Sequence, residues 1–377
     1  MSSVCCLLLQ VVVVTLCCSV FNAEISCRNE AGDPVDWFVF YKLPHRRVLE
    51  EGSGVEYMYL DSESGSWQRS QFLINSSRGA VAETLNQVYK GYMVRFQFAE
   101  FKLIIRKLLH TDKIKKESSG TFFRYGHSKG VLLFDHSQGF WLSHSIPHFP
   151  SFPERGYIYP SSGKVNGQTG LCVTPAAGLV YPRFYNCSCL LRSCPILPQL
   201  VQMWWRNQTP LAKDKSISLL FSSQGAKFIS FVKSERFVDD IYTGWVAQFL
   251  RTDLLVESWQ RQGHDLPSNC SLPQQTMNIK RIQLPDSVLF LSDCDHSKWC
   301  VSRSYGDQVT CLGDLNRERA QLWRGGGLIL PGENPCMHRE NMQTPCRKIP
   351  GKPGREPGIF SLQGESANHY ATVQPQA

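Results

Sequence analysis

The tripeptide His-Ser-Lys occurs twice, as His127-Ser128-Lys129 and as His296-Ser297-Lys298. Each copy adjoins an apolar run, Gly130-Val131-Leu132-Leu133-Phe134 after the first and Trp299-Cys300-Val301 after the second. Each is therefore expected at the edge of a strand, where residues two apart share a face. The imidazole and the ammonium of one copy then point together into one pocket. That pairing suits phosphodiester chemistry. Lysine is a point charge for phosphate oxygens, a neutral imidazole can attack phosphorus, and a protonated one can donate to the leaving oxygen. Two such units meeting across a pseudo-twofold axis would supply nucleophile, acid and cations without a metal. Spacing alone equally admits two satisfied strand-edge histidines beside solvated lysines.

The elements that must position these groups are legible in part. Asp36-Trp37-Phe38-Val39-Phe40-Tyr41 reads as a buried strand ended by Lys42-Leu43-Pro44. Residues 131–134 and 139–143 are apolar runs joined by turn residues, a hairpin pattern. Pro147, Pro150, Pro153 and Pro160 mark an extended loop. Residues 216–221 and 287–291 read as strands, and residues 225–256 as a mixed helical pattern with Phe228, Phe231, Val232 and Phe237 toward a core. Alternating strands and helices predict an α/β or α+β class. Residues 101–116 form a basic, apolar stretch compatible with an amphipathic helix meeting anionic lipid or DNA, or with a solvated helix face. Residues 331–377, rich in Pro, Gly and charge, predict disorder.

The chain has 377 residues, 42% hydrophobic and 19% charged, with a net charge of +8. This excludes a disordered or collagenous chain and gives a mild bias toward anionic partners. Residues 4–21 form a nearly unbroken apolar run followed by Ala23, which predicts a signal peptide over residues 1–23 and a soluble product without a stable membrane anchor; the alternative is a retained anchor. Of the 15 cysteines, four leave with that segment and eleven, an odd number, remain. Export makes disulfides their default, including for Cys187, Cys189 and Cys194, which lack a second ligand pair at zinc spacing. Sequons at Asn75, Asn186, Asn207 and Asn269 then become candidate glycosylation sites.

Several blocks in one order carry a family resemblance. They are Ile25-Ser26-Cys27-Arg28-Asn29-Glu30, Val35-Asp36-Trp37-Phe38, Gly126-His127-Ser128-Lys129-Gly130, Gly139-Phe140-Trp141-Leu142 with His144-Ser145-Ile146-Pro147, Asn269-Cys270-Ser271-Leu272-Pro273, Asp295-His296-Ser297-Lys298-Trp299-Cys300 and Gly313-Asp314-Leu315-Asn316-Arg317. Across residues 24–90 and 120–327 the chain resembles the deoxyribonuclease II family, most closely its beta form. The resemblance implies a phospholipase D-like sandwich of two pseudo-symmetric halves, residues 24–200 and 201–330, each donating one His-x-Lys motif to a central site. It implies a lysosomal or secreted acid endodeoxyribonuclease that acts on DNA, uses no metal or cofactor and leaves 3′-phosphate ends through a phosphohistidine-type intermediate. His127 is then expected as nucleophile and His296 as acid, with the reverse left open, and Lys129 and Lys298 as phosphate ligands. His144 matches a further family histidine, Asn316 is expected to orient the second motif, and Cys27 to pair with Cys172.

The chain also departs from the pattern. Residues 101–116 replace an expected strand. Leu328-Ile329-Leu330 follows Arg324-Gly325-Gly326-Gly327 where the family has a cysteine, so Cys311 loses its partner or finds one in Cys336 or Cys346. The usual C-terminal helix is absent. Two other readings remain at this stage: a catalytically impaired DNA-binding variant, and a phospholipase D-like phosphodiesterase acting on lipids. Lys227, Lys233, Lys280 and Arg281 are candidate groove cations, and no base preference is readable, since phosphate contacts carry no sequence information.

Overall fold

The structure, a computed structural model, describes residues 24–94, 127–134, 138–176, 214–259 and 263–331. The export segment, residues 101–116, Asn186, Asn207, Cys187, Cys189, Cys194, Cys336, Cys346 and the tail past Pro331 lie outside them. In chain order come β1 (Cys27–Arg28), β2 (Pro34–Val35), β3 (Trp37–Lys42), β4 (Tyr57–Asp61), β5 (Gln68–Arg69), helix α1 (Ala80–Val94), β6 (Gly130–Phe134), β7 (Gly139–His144) and β8 (Gln168–Val173). Then follow β9 (Lys215–Phe221), β10 (Lys227–Lys233), a π-turn at Tyr242–Val246 running into α2 (Ala247–Leu250), β11 (Leu254–Glu257), β12 (Thr276–Asn278), β13 (Arg281–Gln283), β14 (Leu289–Leu291), β15 (Trp299–Ser302), β16 (Thr310–Gly313) and β17 (Gly326–Pro331).

Two large sheets organise the described residues. One is six-stranded in the order β5-β4-β3-β8-β7-β6, the other seven-stranded in the order β12-β11-β15-β16-β17-β10-β9. Every neighbouring pair in them is antiparallel except β11 with β12. The class is therefore mixed α+β, dominated by sheet, and the expected alternation of strand and helix does not hold. Strand β3 shows why the layers form. Its six residues are all buried, and period-two alternation divides them. Trp37, Val39 and Tyr41 pack with Phe228, Leu255, Trp299, Val301, Leu312 and Ile329 of the other sheet. Phe38 and Phe40 pack instead with Val81, Leu85 and Val88 of α1. The second sheet repeats this outside: Phe231, Val256, Cys300 and Leu328 meet Tyr242, Trp245 and Val246. The inner faces thus lie together and each outer face carries a helical segment.

The hairpin strands expected around residues 131–143 pair in register as β6 and β7. The helical pattern over residues 225–256 is corrected: β10 is a strand through its first part. Phe228 faces the inter-sheet core and Phe231 the helical segment. A strand buried on both faces loses the polar–apolar alternation that identifies strands. Cys27 and Cys172 form a disulfide between β1 and β8, as the resemblance implied. Among the described residues no helix is long and apolar enough to cross a membrane.

Candidate active site

The first motif precedes β6, yet its bonds lead to the other sheet. The His127 amide donates to Gly325 O at 2.8 Å, on the approach to β17. His127 Nδ1 lies 2.7 Å from Asp314 O, just past β16. A carbonyl oxygen only accepts, so Nδ1 carries the proton and Nε2 is left as the free nitrogen. Ser128 Oγ donates to Asp314 Oδ2 at 2.7 Å. The second motif precedes β15 and is held from the first sheet. The His296 amide donates to Gly167 O at 2.9 Å, and Gly167 N to Cys294 O at 2.9 Å. His296 Nδ1 lies 3.2 Å from Gln168 Oε1 at the start of β8. The buried Asp295 carboxylate accepts from the Ser297 amide at 3.1 Å, from the Ser297 hydroxyl and from Tyr41 of β3. Gly167 permits this docking: a Cβ there would stand 2.3 Å from Asp295 Oδ1. Each motif is therefore seated by residues of the opposite sheet.

The same two lysines act on both imidazoles. His127 is pushed well below the usual histidine range by burial, then by Lys129 and Lys298. His296 is pushed the same way by burial, then by Lys298 and Lys129. Each imidazole thus feels both ammonium groups. Both histidines are largely buried but keep some exposed surface, and Trp259 stands edge-on to His296 with centroids 5.0 Å apart. Lys298 is buried; burial and then Lys129 lower it to about 7, and its Nζ donates to His296 O at 2.5 Å. Asp314 is raised to about 6 by burial.

His144, the last residue of β7, is buried and held down to about 3 by burial and Lys129. Its Nδ1 accepts the Ile146 amide at 3.2 Å, so the proton sits on Nε2, which has no hydrogen-bond partner. It is a neutral donor beside Lys129. Asn316, expected to orient the second motif, is buried but makes its described bonds elsewhere. Its amide donates to Gln321 Oε1 at 2.9 Å, its Oδ1 has no partner, and no bond joins it to the second motif. Asp314 in the same block does the holding, and it holds the first motif. Arg317 beside it is structural: fully buried, it donates from Nε to Asp240 Oδ2 at 2.9 Å and from Nη2 to Pro267 O at 3.0 Å. Lys233 leaves the groove set, since it is buried and donates to Phe237 O and Leu322 O. Of the described sequons, Asn75 is exposed and Asn269 half-buried. Cys300 and Cys311 lie opposite one another in β15 and β16 as buried free thiols, so the described neighbour of Cys311 is Cys300.

Sequence reasoning missed Asp314, Asp295, Gly167, Gln168 and Tyr41. The first two sit inside quoted blocks and had a signal there. Gly167, Gln168 and Tyr41 reach the motifs only through the docking of the sheets.

Comparison with known proteins bears directly on this arrangement. The family model described as Deoxyribonuclease II matches residues 26–334. The chain is 42% identical to Deoxyribonuclease-2-beta of Homo sapiens over 319 residues, covering 81% of this chain and 86% of the relative. It is 38% identical to Deoxyribonuclease-2-alpha of Mus musculus over 321 residues, covering 81% and 88%. It is 31% identical to Plancitoxin-1 of Acanthaster planci over 336 residues, covering 84% and 90%.

Proposed function

The chain belongs to the deoxyribonuclease II family, and from that premise we propose that it is an acid endodeoxyribonuclease that works without a metal and leaves 3′-phosphate ends. The observation that carries this reading is the pair of largely buried imidazoles, each with Nδ1 facing an oxygen acceptor and both within the field of the same two lysines. In the proposed reaction Nε2 of His127 attacks phosphorus. Lys129, Lys298 and the neutral Nε2–H of His144 hold the non-bridging oxygens. The P–O5′ bond breaks, and protonated His296 gives its proton to the departing 5′-oxygen. Water then attacks the phosphohistidine, His296 takes the water's proton, and the 3′-phosphate leaves. Asp314 keeps the first motif in place, and we assign Asn316 no chemical step. The paired sheets are the phospholipase D-like sandwich in this reading, one motif from residues 24–200 and one from 201–330.

Acid dependence has a physical cause here. Burial and two nearby cations hold both imidazoles neutral at neutral pH, so charging the acid needs a lower pH or the phosphate's own charge. In this reading a lysosomal setting after export supplies that pH, and Asn75 and Asn269 remain candidate glycan sites. Plasmid DNA incubated at about pH 5 with EDTA tests the reading. Cleavage to 3′-phosphate fragments, abolished by His127→Ala and by His296→Ala while DNA binding survives, is the expected result. Full activity in either variant overturns it. Binding without any cleavage by the unaltered protein would favour the impaired-binder reading.

A further inference from the structure

We infer that Gln168 is the positioning residue for His296: its Oε1 holds the proton on Nδ1 and so leaves Nε2 as the nitrogen that gives and takes the catalytic proton. The inference rests on the proposed role of His296 and goes past it, to what sets that role. Two groups compete for His296 Nδ1. Gln168 Oε1, at 3.2 Å, only accepts and so requires a proton on that nitrogen. Lys298 Nζ, at 3.3 Å, can donate to it and then requires a lone pair there. The lysine also donates to the His296 carbonyl oxygen at 2.5 Å; its three N–H groups serve both contacts, so histidine 15N NMR decides between the two protonations. The glutamine oxygen has its orientation set by Ser145, whose Oγ takes the Thr169 amide proton at 3.0 Å and passes its own hydrogen to Oε1 at 2.6 Å. That chain of bonds runs along the β7–β8 edge and fixes which end of the amide meets the imidazole.

Two further observations separate this from packing. Gln168 is fully buried, yet its Nε2 has no partner. A buried amide nitrogen without a partner costs stability, which sets Gln168 apart from a glutamine kept for packing alone. The other half of the site solves the same problem differently. His127 Nδ1 is fixed by the backbone carbonyl of Asp314, which no substitution removes. On the His296 side the Ser145 backbone also acts on the imidazole, but the oxygen nearest Nδ1 is the Gln168 side chain's, which mutation can remove.

The experiment measures kcat and KM against pH on a short DNA duplex for the full chain and for Gln168→Leu and Gln168→Glu. Gln168→Leu should lower kcat by roughly 10–100-fold, as loss of an outer hydrogen-bond partner does, with KM little changed. Gln168→Glu puts a carboxylate against the imidazole and should move the alkaline limb of kcat upward by about one pH unit. A purely structural glutamine would lower the melting temperature without moving that limb. Unchanged kcat in Gln168→Leu, or a Gln168→Glu profile superposing on that of the parent, overturns the inference. Should neither variant fold, histidine 15N NMR of the unsubstituted protein decides. Protonation at Nδ1 of His296 supports the assignment, and protonation at Nε2 defeats it while leaving the nuclease reading intact. Full activity of His296→Ala would instead sink that reading.

Discussion

Replacing His144 with Asn separates charge from packing at the most deeply buried imidazole of the site. The asparagine oxygen can stand where Nδ1 accepts the Ile146 amide, so the local turn keeps its bond while the titrating group disappears. His144 is held at about 3 in the folded protein and titrates near 6.5 when unfolded. A lowered folded value means stability that is present above the unfolded value and lost as pH falls toward the folded one. At about pH 5 the unfolded chain has taken up the proton and the folded chain has not, over about 1.5 pH units at 1.36 kcal/mol each, or roughly 2 kcal/mol. Any cavity left by the smaller side chain costs the same at both pH values. Urea unfolding of both proteins at about pH 7.5 and at about pH 5 isolates the difference. Whatever the stability gap between parent and variant at neutral pH, it should move by about 2 kcal/mol in the variant's favour at the lower pH. A gap that does not change with pH would refute a neutral, desolvated His144.

Other perturbations follow from the same geometry. Asp314→Asn should keep the Ser128 bond and most of the acid activity, whereas Asp314→Ala should lose it. The Asp314 carboxyl is raised to about 6, so its stabilising contribution is present below about 4 and lost as pH rises through 6; Asp314→Asn should therefore gain melting temperature relative to the parent at about pH 7.5 but not at about pH 4. Gly167→Ala drives a methyl to 2.3 Å from Asp295 Oδ1 and should cut plasmid cleavage far more than it lowers the melting temperature; equal activity would show that the second motif tolerates displacement. Arg317→Met leaves Asp240 buried without its partner and should cost about 3–5 kcal/mol in urea unfolding. Replacing Cys27 and Cys172 together by Ala should cost about 2–5 kcal/mol, with an unchanged midpoint counting against a structural role for that bridge.

The strands around both motifs were readable because apolar runs there are short, bounded and rich in β-branched or aromatic residues, as in residues 37–41 and 131–134. The stretch holding Phe228 and Phe231 was misread because burial on both faces erases the period that marks a strand. The paired His-x-Lys groups were visible because a strand puts residues two apart on one side. Their supports were not. Tyr41 and Gln168 lie 254 and 128 positions from the residues they hold, and no local pattern encodes a contact made when two sheets close. In the block Gly313-Asp314-Leu315-Asn316-Arg317 only the docked structure shows that Asp314 reaches Ser128.

The crosswise seating of the motifs has a consequence for how activity first arises. His127 takes its proton acceptor from a residue 187 positions downstream and its backbone anchor from Gly325. A ribosome-bound chain that has not yet delivered those residues carries a complete first motif with nowhere to rest it. In the proposed reaction hydrolytic competence therefore waits for residues 314–325, and loosening either sheet in the finished molecule should switch off both histidines together rather than leave a half-working enzyme.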